Sequence, residues 1–250
     1  MKKTGFIHSI ETLGTRDGPG LRCVFFLSGC NFKCKFCQNR DTWSRKGSEK
    51  VTLNSVYDRL LRLLPYLQKD GGGITVSGGE PALQADFVIE LFKMVHGMKL
   101  TTALDTNGTC APKYVKKLLE ETDTVLLDVK ASTAKLHKEL TGGKLEAVLN
   151  FGRVTAESWA EKGAPKLIIR RVLLPGLNDS KKELDRLADY VLSLAKVPEI
   201  ELIPYHRLGV HKWKELGKKY PLPRLKPPSS RDWEKAAEIL RGKGVVVFKG

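Results

Sequence analysis

The chain has 250 residues, 41% of them hydrophobic and 28% charged, with a formal net charge of +15 at pH 7. That composition excludes a disordered or collagen-like chain, and at this length roughly 70–75% of the unfolded surface can be buried without disulfide staples. No apolar run approaches the roughly 18 residues a membrane helix needs, and the opening MKKTGFIHSIETLG lacks an apolar signal core, so a cytoplasmic protein with no membrane contact is expected.

The positive charge is interspersed with glutamate and aspartate, as in KKLLEETD and SKKELDRLADY, which is the pattern of solvated helix faces. Nucleic-acid binding is therefore not expected. A basic docking surface for a protein partner is compatible with the same pattern.

Apolar runs alternate with amphipathic stretches along the chain. The first strand is expected at Leu21–Leu27 (LRCVFFL). After Thr52 a helical period runs through LNSVYDRLLRLLPYL, with Val56, Leu60, Leu63, Leu64 and Leu67 on one stripe and Pro65 as a kink or early stop. Ile74–Ser77 (ITVS) is the second strand, DFVIELFKMV the next helix, and Leu100–Leu104 (LTTAL) the third strand. PKYVKKLLEET then reads as a helix opening at Pro112, followed by a fourth strand, Thr124–Val129 (TVLLDV), and a fifth, Lys166–Leu174 (KLIIRRVLL). An Asn178-Asp179-Ser180 cap introduces the helix KKELDRLADYVLSLA. Ile200–Pro204 (IELIP) is the sixth strand and Val245–Phe248 (VVVF) a candidate seventh; Leu208 to Ser230, rich in Lys and Pro, reads as a long surface loop.

The apolar runs are continuous, which suits parallel strands covered on both faces and joined by right-handed crossovers. The expected fold is α/β: a partial (β/α)6 TIM-like barrel of parallel strands, in a single domain over residues 1–250. The segments LSGC, SGGE, LDTNG, LDVK, LLPGLND and PYHRLG each follow a strand. In such a barrel those ends share one face, so one site built from six loops is expected.

Five cysteines are an odd count, and three of them, Cys30, Cys34 and Cys37, have the spacing C-x3-C-x2-C. This argues against a disulfide framework and for metal chemistry in a reducing compartment. Three thiolates on one loop can hold three corners of a [4Fe-4S] cluster, leaving one iron without a protein ligand. Spacing alone leaves two alternatives open: a Cys3His zinc site, for which the nearest histidine in sequence is His8 in another segment, or no metal at all. Phe36, just before the last cysteine, is placed to shield such a cluster. Cys23 and Cys110 read as small apolar residues.

The stretches TRDGPGLRCVFFLSGCNFKCKFCQNRDTW, ITVSGGEPALQADF, LDTNG, LLDVK and ELIPYHRLGVHKW, spread from Thr15 to Trp213, make the resemblance specific. The chain resembles the radical S-adenosylmethionine superfamily and, within it, the glycyl-radical-enzyme activases. The resemblance implies a [4Fe-4S] cluster on Cys30, Cys34 and Cys37 whose open iron binds the amino and carboxylate groups of S-adenosylmethionine. It implies that Gly78, Gly79 and Glu80 face the cofactor's amino group, that Asp128 and Lys130 hold its polar ends, and that Arg170, rather than Arg171, points at its carboxylate. His206 is expected beside the adenine and ribose. A monovalent cation is implied near Asp105, Thr106, Asp128 and the backbone at Leu126. Asp17, in RDGPG, is expected to be carried by the Gly-Pro-Gly turn across the barrel mouth to meet the partner's glycine segment.

The implied activity is reductive cleavage of S-adenosylmethionine and hydrogen abstraction from a glycine of a partner, a pyruvate formate-lyase-like glycyl radical enzyme. A one-electron donor such as flavodoxin or ferredoxin would supply the electron, and the activase would act as a monomer. The chain passes directly from QNRDTW to the first long helix, with no inserted cysteine-rich region, which favours this compact type. Two departures, Gln38 where the resemblance expects His and a short helix after LDTNG, leave room for another glycyl radical partner. The alternatives are a radical S-adenosylmethionine reaction on a small molecule and, in another class, a non-catalytic iron-sulfur or zinc-binding protein.

Overall fold

A computed structural model describes residues 3–250. The strands are β1 (Thr4–Gly14), β2 (Arg22–Leu27), β3 (Glu49–Thr52), β4 (Gly73–Gly78), β5 (Thr101–Thr106), β6 (Thr124–Asp128), β7 (Lys166–Leu173), β8 (Glu199–Pro204) and β9 (Val247–Lys249). They form one sheet in the order β3-β1-β2-β4-β5-β6-β7-β8-β9. From β2 to β9 every pairing is parallel, while β1 is antiparallel to both of its neighbours. The six expected strands and the candidate seventh are all present, on an α/β fold with a mostly parallel, barrel-like sheet.

The helices are α1 (Leu53–Leu67), α2 (Ala85–Gly97), α3 (Pro112–Glu120), α4 (Ala134–Thr141), α5 (Leu145–Lys162), α6 (Lys181–Leu192), α7 (Val210–Glu215) and α8 (Ser230–Arg241). Thr52 and Ser55 close a capping box at the start of α1, which buries Val56, Leu60 and Leu67 and runs through Pro65. Pro112 opens α3, and the Ser180 hydroxyl accepts from the Glu183 N–H at the start of α6, as the cap signal predicts. Among the described residues, no helix is long and apolar enough to cross a membrane.

Three regions differ from the sequence reading. β1 and β3 were not anticipated, because β1 is half exposed and its pairing with β2 is broken by irregularities, so no clean alternation marks it. α4 and α5 occupy a stretch read without helices. Gly152 interrupts the apolar period of α5 because the Tyr190 hydroxyl sits against it, 2.1 Å from where a Cβ would stand. The expected loop from Leu208 to Ser230 contains α7 and buries Trp213 and Tyr220, since Trp213 packs onto the cysteine loop and Tyr220 onto Trp213.

Register decides what faces the barrel interior. Asp128 pairs with Arg170 and Arg170 with Glu201, so three charged side chains form one row across β6, β7 and β8. Asp105 pairs with Leu126 on the same face. Arg171 alternates to the other face, where it is fully buried and donates to the Lys130 carbonyl and the Ser132 hydroxyl.

Candidate functional site

The loop after β2 carries the three cysteines and is tied down along its length. Gly29 N donates to Thr42 O (2.7 Å) and Cys30 N to Trp43 O (3.3 Å). Lys33 N and Lys35 N donate to Thr141 O (2.7 Å) and Leu140 O (2.8 Å), so the last turn of α4 supports the loop from below. The Gln38 amide bridges to the loop after β8, donating to His206 O and accepting from Gly209 N, both at 2.6 Å. The loop after β4 approaches just as closely: a Cβ on Gly79 would stand 2.3 Å from Gly29 O, which is why glycine occupies that position.

One cleft of about 240 Å³ at the C-terminal ends of the strands gathers most of the expected residues. Cys30, Cys34, Cys37 and Phe36 line it on one side; Gly78, Gly79, Asp105, Thr106, Asp128, Lys130, Arg170 and His206 line the rest. Lys130 Nζ donates to Asp128 Oδ2 at 2.6 Å. Burial opposes charge on Lys130, yet Asp128, Cys34 and Asp105 hold its pKa above the ordinary lysine value. Arg170 donates to Glu201 Oε1 (3.1 Å), has Nη1 3.4 Å from Asp105 Oδ1, and also donates to Arg16 O. Ser77 Oγ donates to the other Asp105 oxygen at 2.5 Å. Burial pushes the Asp105 and Glu201 carboxyls up, and Arg170 opposes it in both.

Three expected residues lie elsewhere. Glu80 does not face the cleft: it is fully buried, and its carboxylate accepts from Thr106 Oγ1 (2.7 Å), Asn107 N (2.7 Å) and Ala82 N (2.9 Å). With both oxygens engaged it pins the turn after β4 to the one after β5, because a carboxylate buried without donors would be strongly destabilising. Burial raises its pKa to about 7 against those hydrogen bonds. Leu126 lies deeper on β6, in a second opening of about 1200 Å³ between β8, β9 and the segment from Thr15 to Pro19. Asp17 enters the barrel interior from the N-terminal ends of the strands rather than crossing the mouth. Its carbonyl accepts from Thr75 Oγ1 (2.5 Å), while the following Pro19 carbonyl is held by Arg22. Burial raises the pKa of Asp17, opposed by Arg170.

Sequence reasoning missed several side chains that build this site. Glu201 lies in IELIP, whose apolar run marks only a strand, although a carboxylate on an apolar strand needs a partner. Gln84 binds the backbone of Phe6 and Ser28, fastening β1 to the cysteine loop. Trp43 and Trp213 both donate to Cys37, at its sulfur (3.3 Å) and its carbonyl (3.1 Å). Their segments, RDTW and HKW, were within the matching stretches without an assigned role.

The donor set itself limits the metal chemistry. Among the described residues, no three His, Cys, Asp or Glu side chains converge closely enough to hold a single metal ion. The three thiols nevertheless share one cleft and influence one another's charge. Three thiols on one loop, with no fourth cysteine among the described residues lining the cleft, are the donor set of a [4Fe-4S] cluster with one open iron. Burial raises the Cys30 pKa to about 11 and that of Cys34 to about 12, and also raises Cys37. Such thiols stay protonated without metal and release protons when metal binds.

Comparison with known proteins agrees with this geometry. Residues 16–147 match the family model of the 4Fe-4S single cluster domain. The fold is shared with a radical SAM methyltransferase from Sphaerobacter thermophilus, at a TM-score of 0.67 and 17% identity over 97% of this chain and 76% of that one. Family model and fold together define a 4Fe-4S cluster protein on a barrel-like α/β fold. The pyruvate formate-lyase-activating enzymes of Staphylococcus epidermidis and Staphylococcus aureus are 37% and 39% identical to it, each over 97% of both chains. A domain of the enzyme of that name from Bacteroides vulgatus superposes with a TM-score of 0.60 at 26% identity, over 72% of this chain and 99% of that one. The chain belongs to the pyruvate formate-lyase-activating enzyme family.

Proposed function

We propose that this protein activates a glycyl radical enzyme of the pyruvate formate-lyase type. Cys30, Cys34 and Cys37 would hold a [4Fe-4S] cluster, with one iron left to S-adenosylmethionine. Once reduced, such a cluster would supply the electron for reductive cleavage of S-adenosylmethionine, the chemistry that removes hydrogen from the partner's glycine.

The chain's own residues bind, orient and exclude solvent. The Gly78 and Gly79 backbone receives the cofactor's ammonium group. Asp128, Lys130 and Arg170 order its polar ends, and His206 lies by the adenine and ribose. Glu80 acts through the loops it joins rather than by contact. In the cleft the carboxylates of Asp105 and Asp128 face the cations Lys130 and Arg170, with Glu201 bound to Arg170 beneath them. Those carboxylates would attract the cofactor's sulfonium and a monovalent cation near Asp105, Thr106 and Asp128. Asp17, on the floor of the barrel, would orient the partner's glycine segment from below.

The supporting observation is that the cysteine loop, the Gly78-Gly79 turn and the Asp128–Lys130 pair share one cleft in a chain matched over 97% of its length by these enzymes. The same reading takes residues 1–250 as one domain, working as a cytoplasmic monomer with flavodoxin or ferredoxin as electron donor. Anaerobic protein given a strong reductant and S-adenosylmethionine should release equal amounts of methionine and 5'-deoxyadenosine. Asp128→Ala should weaken cofactor binding at least tenfold while leaving the cluster's absorption spectrum intact. An iron-loaded wild-type protein that leaves the cofactor uncleaved would overturn the reading.

A further inference from the structure

The three cysteines of the loop differ in what surrounds their sulfurs. The Trp43 indole Nε1–H donates to Cys37 Sγ at 3.3 Å, whereas among the described residues no side chain donates to the sulfur of Cys30 or Cys34. The indole is held on several sides. Its edge packs against Trp213 with ring centroids 5.5 Å apart, and Trp213 packs in turn against Tyr220 at 5.6 Å. The Arg40 guanidinium lies 4.0 Å from the Trp43 ring centroid and Lys33 Nζ 4.7 Å from it. Trp43 O also accepts from Cys30 N, so the backbone beneath the ring is tied to the loop it serves.

A cation over an indole face draws on its π density and makes the N–H a better donor. A donor at a cluster sulfur matters more after reduction than before, because the added electron raises the negative charge on the ligands. Hydrogen bonds to the sulfurs are among the principal determinants of cluster potential. Trp213, by contrast, donates to the Cys37 carbonyl, which lies off the sulfur.

We propose that Trp43 is a tuning residue: its N–H···S bond to Cys37 raises the reduction potential of the cluster and makes its reduction easier. The inference rests on the proposed cluster at Cys30, Cys34 and Cys37. It assigns the cationic side chains of Arg40 and Lys33 a role in polarising the indole.

The test is an anaerobic redox titration of the cluster-loaded protein, followed by electron paramagnetic resonance of the reduced centre. Trp43→Phe keeps an aromatic ring and removes the donor. It should make reduction about tenfold less favourable, equivalent to 59 mV for one electron, with iron content at the wild-type level. Trp213→Phe, which removes a bond to the same residue but not to its sulfur, should leave the midpoint unmoved. An unchanged midpoint in Trp43→Phe, or equal shifts in both variants, would overturn the inference. Should Trp43→Phe fail to retain iron, the Trp213→Phe protein with 15N-labelled indoles decides: nuclear coupling of a tryptophan nitrogen to the reduced cluster supports the bond, and its absence overturns it. A wild-type protein that forms no iron-sulfur centre would instead remove the cluster reading itself.

Discussion

His137 offers a stability measurement whose size and sign both follow from its surroundings. The residue lies in α4, fully buried, edge-on to Phe32 at 5.5 Å, and neither ring nitrogen has a hydrogen-bond partner. Burial first, then the charges of Lys130 and Arg171, pull its pKa from 6.5 down to about 4. Between these values the unfolded chain binds a proton that the folded chain does not. The stability associated with the neutral ring is therefore complete above about pH 6.5 and is lost as the pH falls toward 4. At about 1.4 kcal/mol per pKa unit, the gap amounts to about 3 kcal/mol. His137→Leu keeps an apolar group of similar bulk and removes the titration. Urea unfolding of both proteins from pH 7.5 to 4 isolates the effect, because the carboxylates that titrate in both cancel in the difference. The variant should gain about 3 kcal/mol on wild type across that range. Equal acid slopes in the two proteins would refute a neutral, unpartnered His137.

The remaining predictions concern the loops around the cleft. Glu80→Gln turns an amide N–H₂ toward a buried backbone donor and should cost about 2 kcal/mol in urea unfolding, with Glu80→Ala costing more because two backbone N–H groups lose their acceptor. Replacing any of Cys30, Cys34 or Cys37 with Ala should leave a labile or absent iron centre, read by absorption and iron content. Cys23→Ala and Cys110→Ala should keep the centre, so loss of iron in Cys110→Ala would break the three-ligand assignment. Asp17→Ala should reduce its cluster and bind S-adenosylmethionine normally while activating a partner at least tenfold more slowly; normal activation would leave the segment before β2 with only a structural part.

The barrel strands were legible because each buried parallel strand is a short continuous apolar run, and their order along the chain dictated where the loops would meet. The cysteine loop was legible for a different reason: three thiols at fixed spacing have few uses. Hydrogen-bond direction was not legible. Glu80 and Asp105 are both carboxylates at the C-terminal end of a strand, but three donors from Ala82, Thr106 and Asn107 draw Glu80 inward, while Ser77 and Arg170 hold Asp105 at the cleft. Long-range side-chain bonds such as Gln38 to Gly209 and Gln84 to Phe6 join segments far apart in sequence, and no local pattern announces them. α5 was hidden by its own glycine, whose cause is Tyr190 on a different helix.

The most direct measurement of the central claim is isotope transfer during activation. The protein, its cluster reduced anaerobically, is incubated with S-adenosylmethionine and a pyruvate formate-lyase deuterated at its glycine α-carbons. A glycyl radical should appear in the paramagnetic resonance spectrum of the partner, with deuterium recovered in 5'-deoxyadenosine in proportion to it. A glycyl radical formed with no deuterium in the nucleoside would contradict direct abstraction from the partner's glycine.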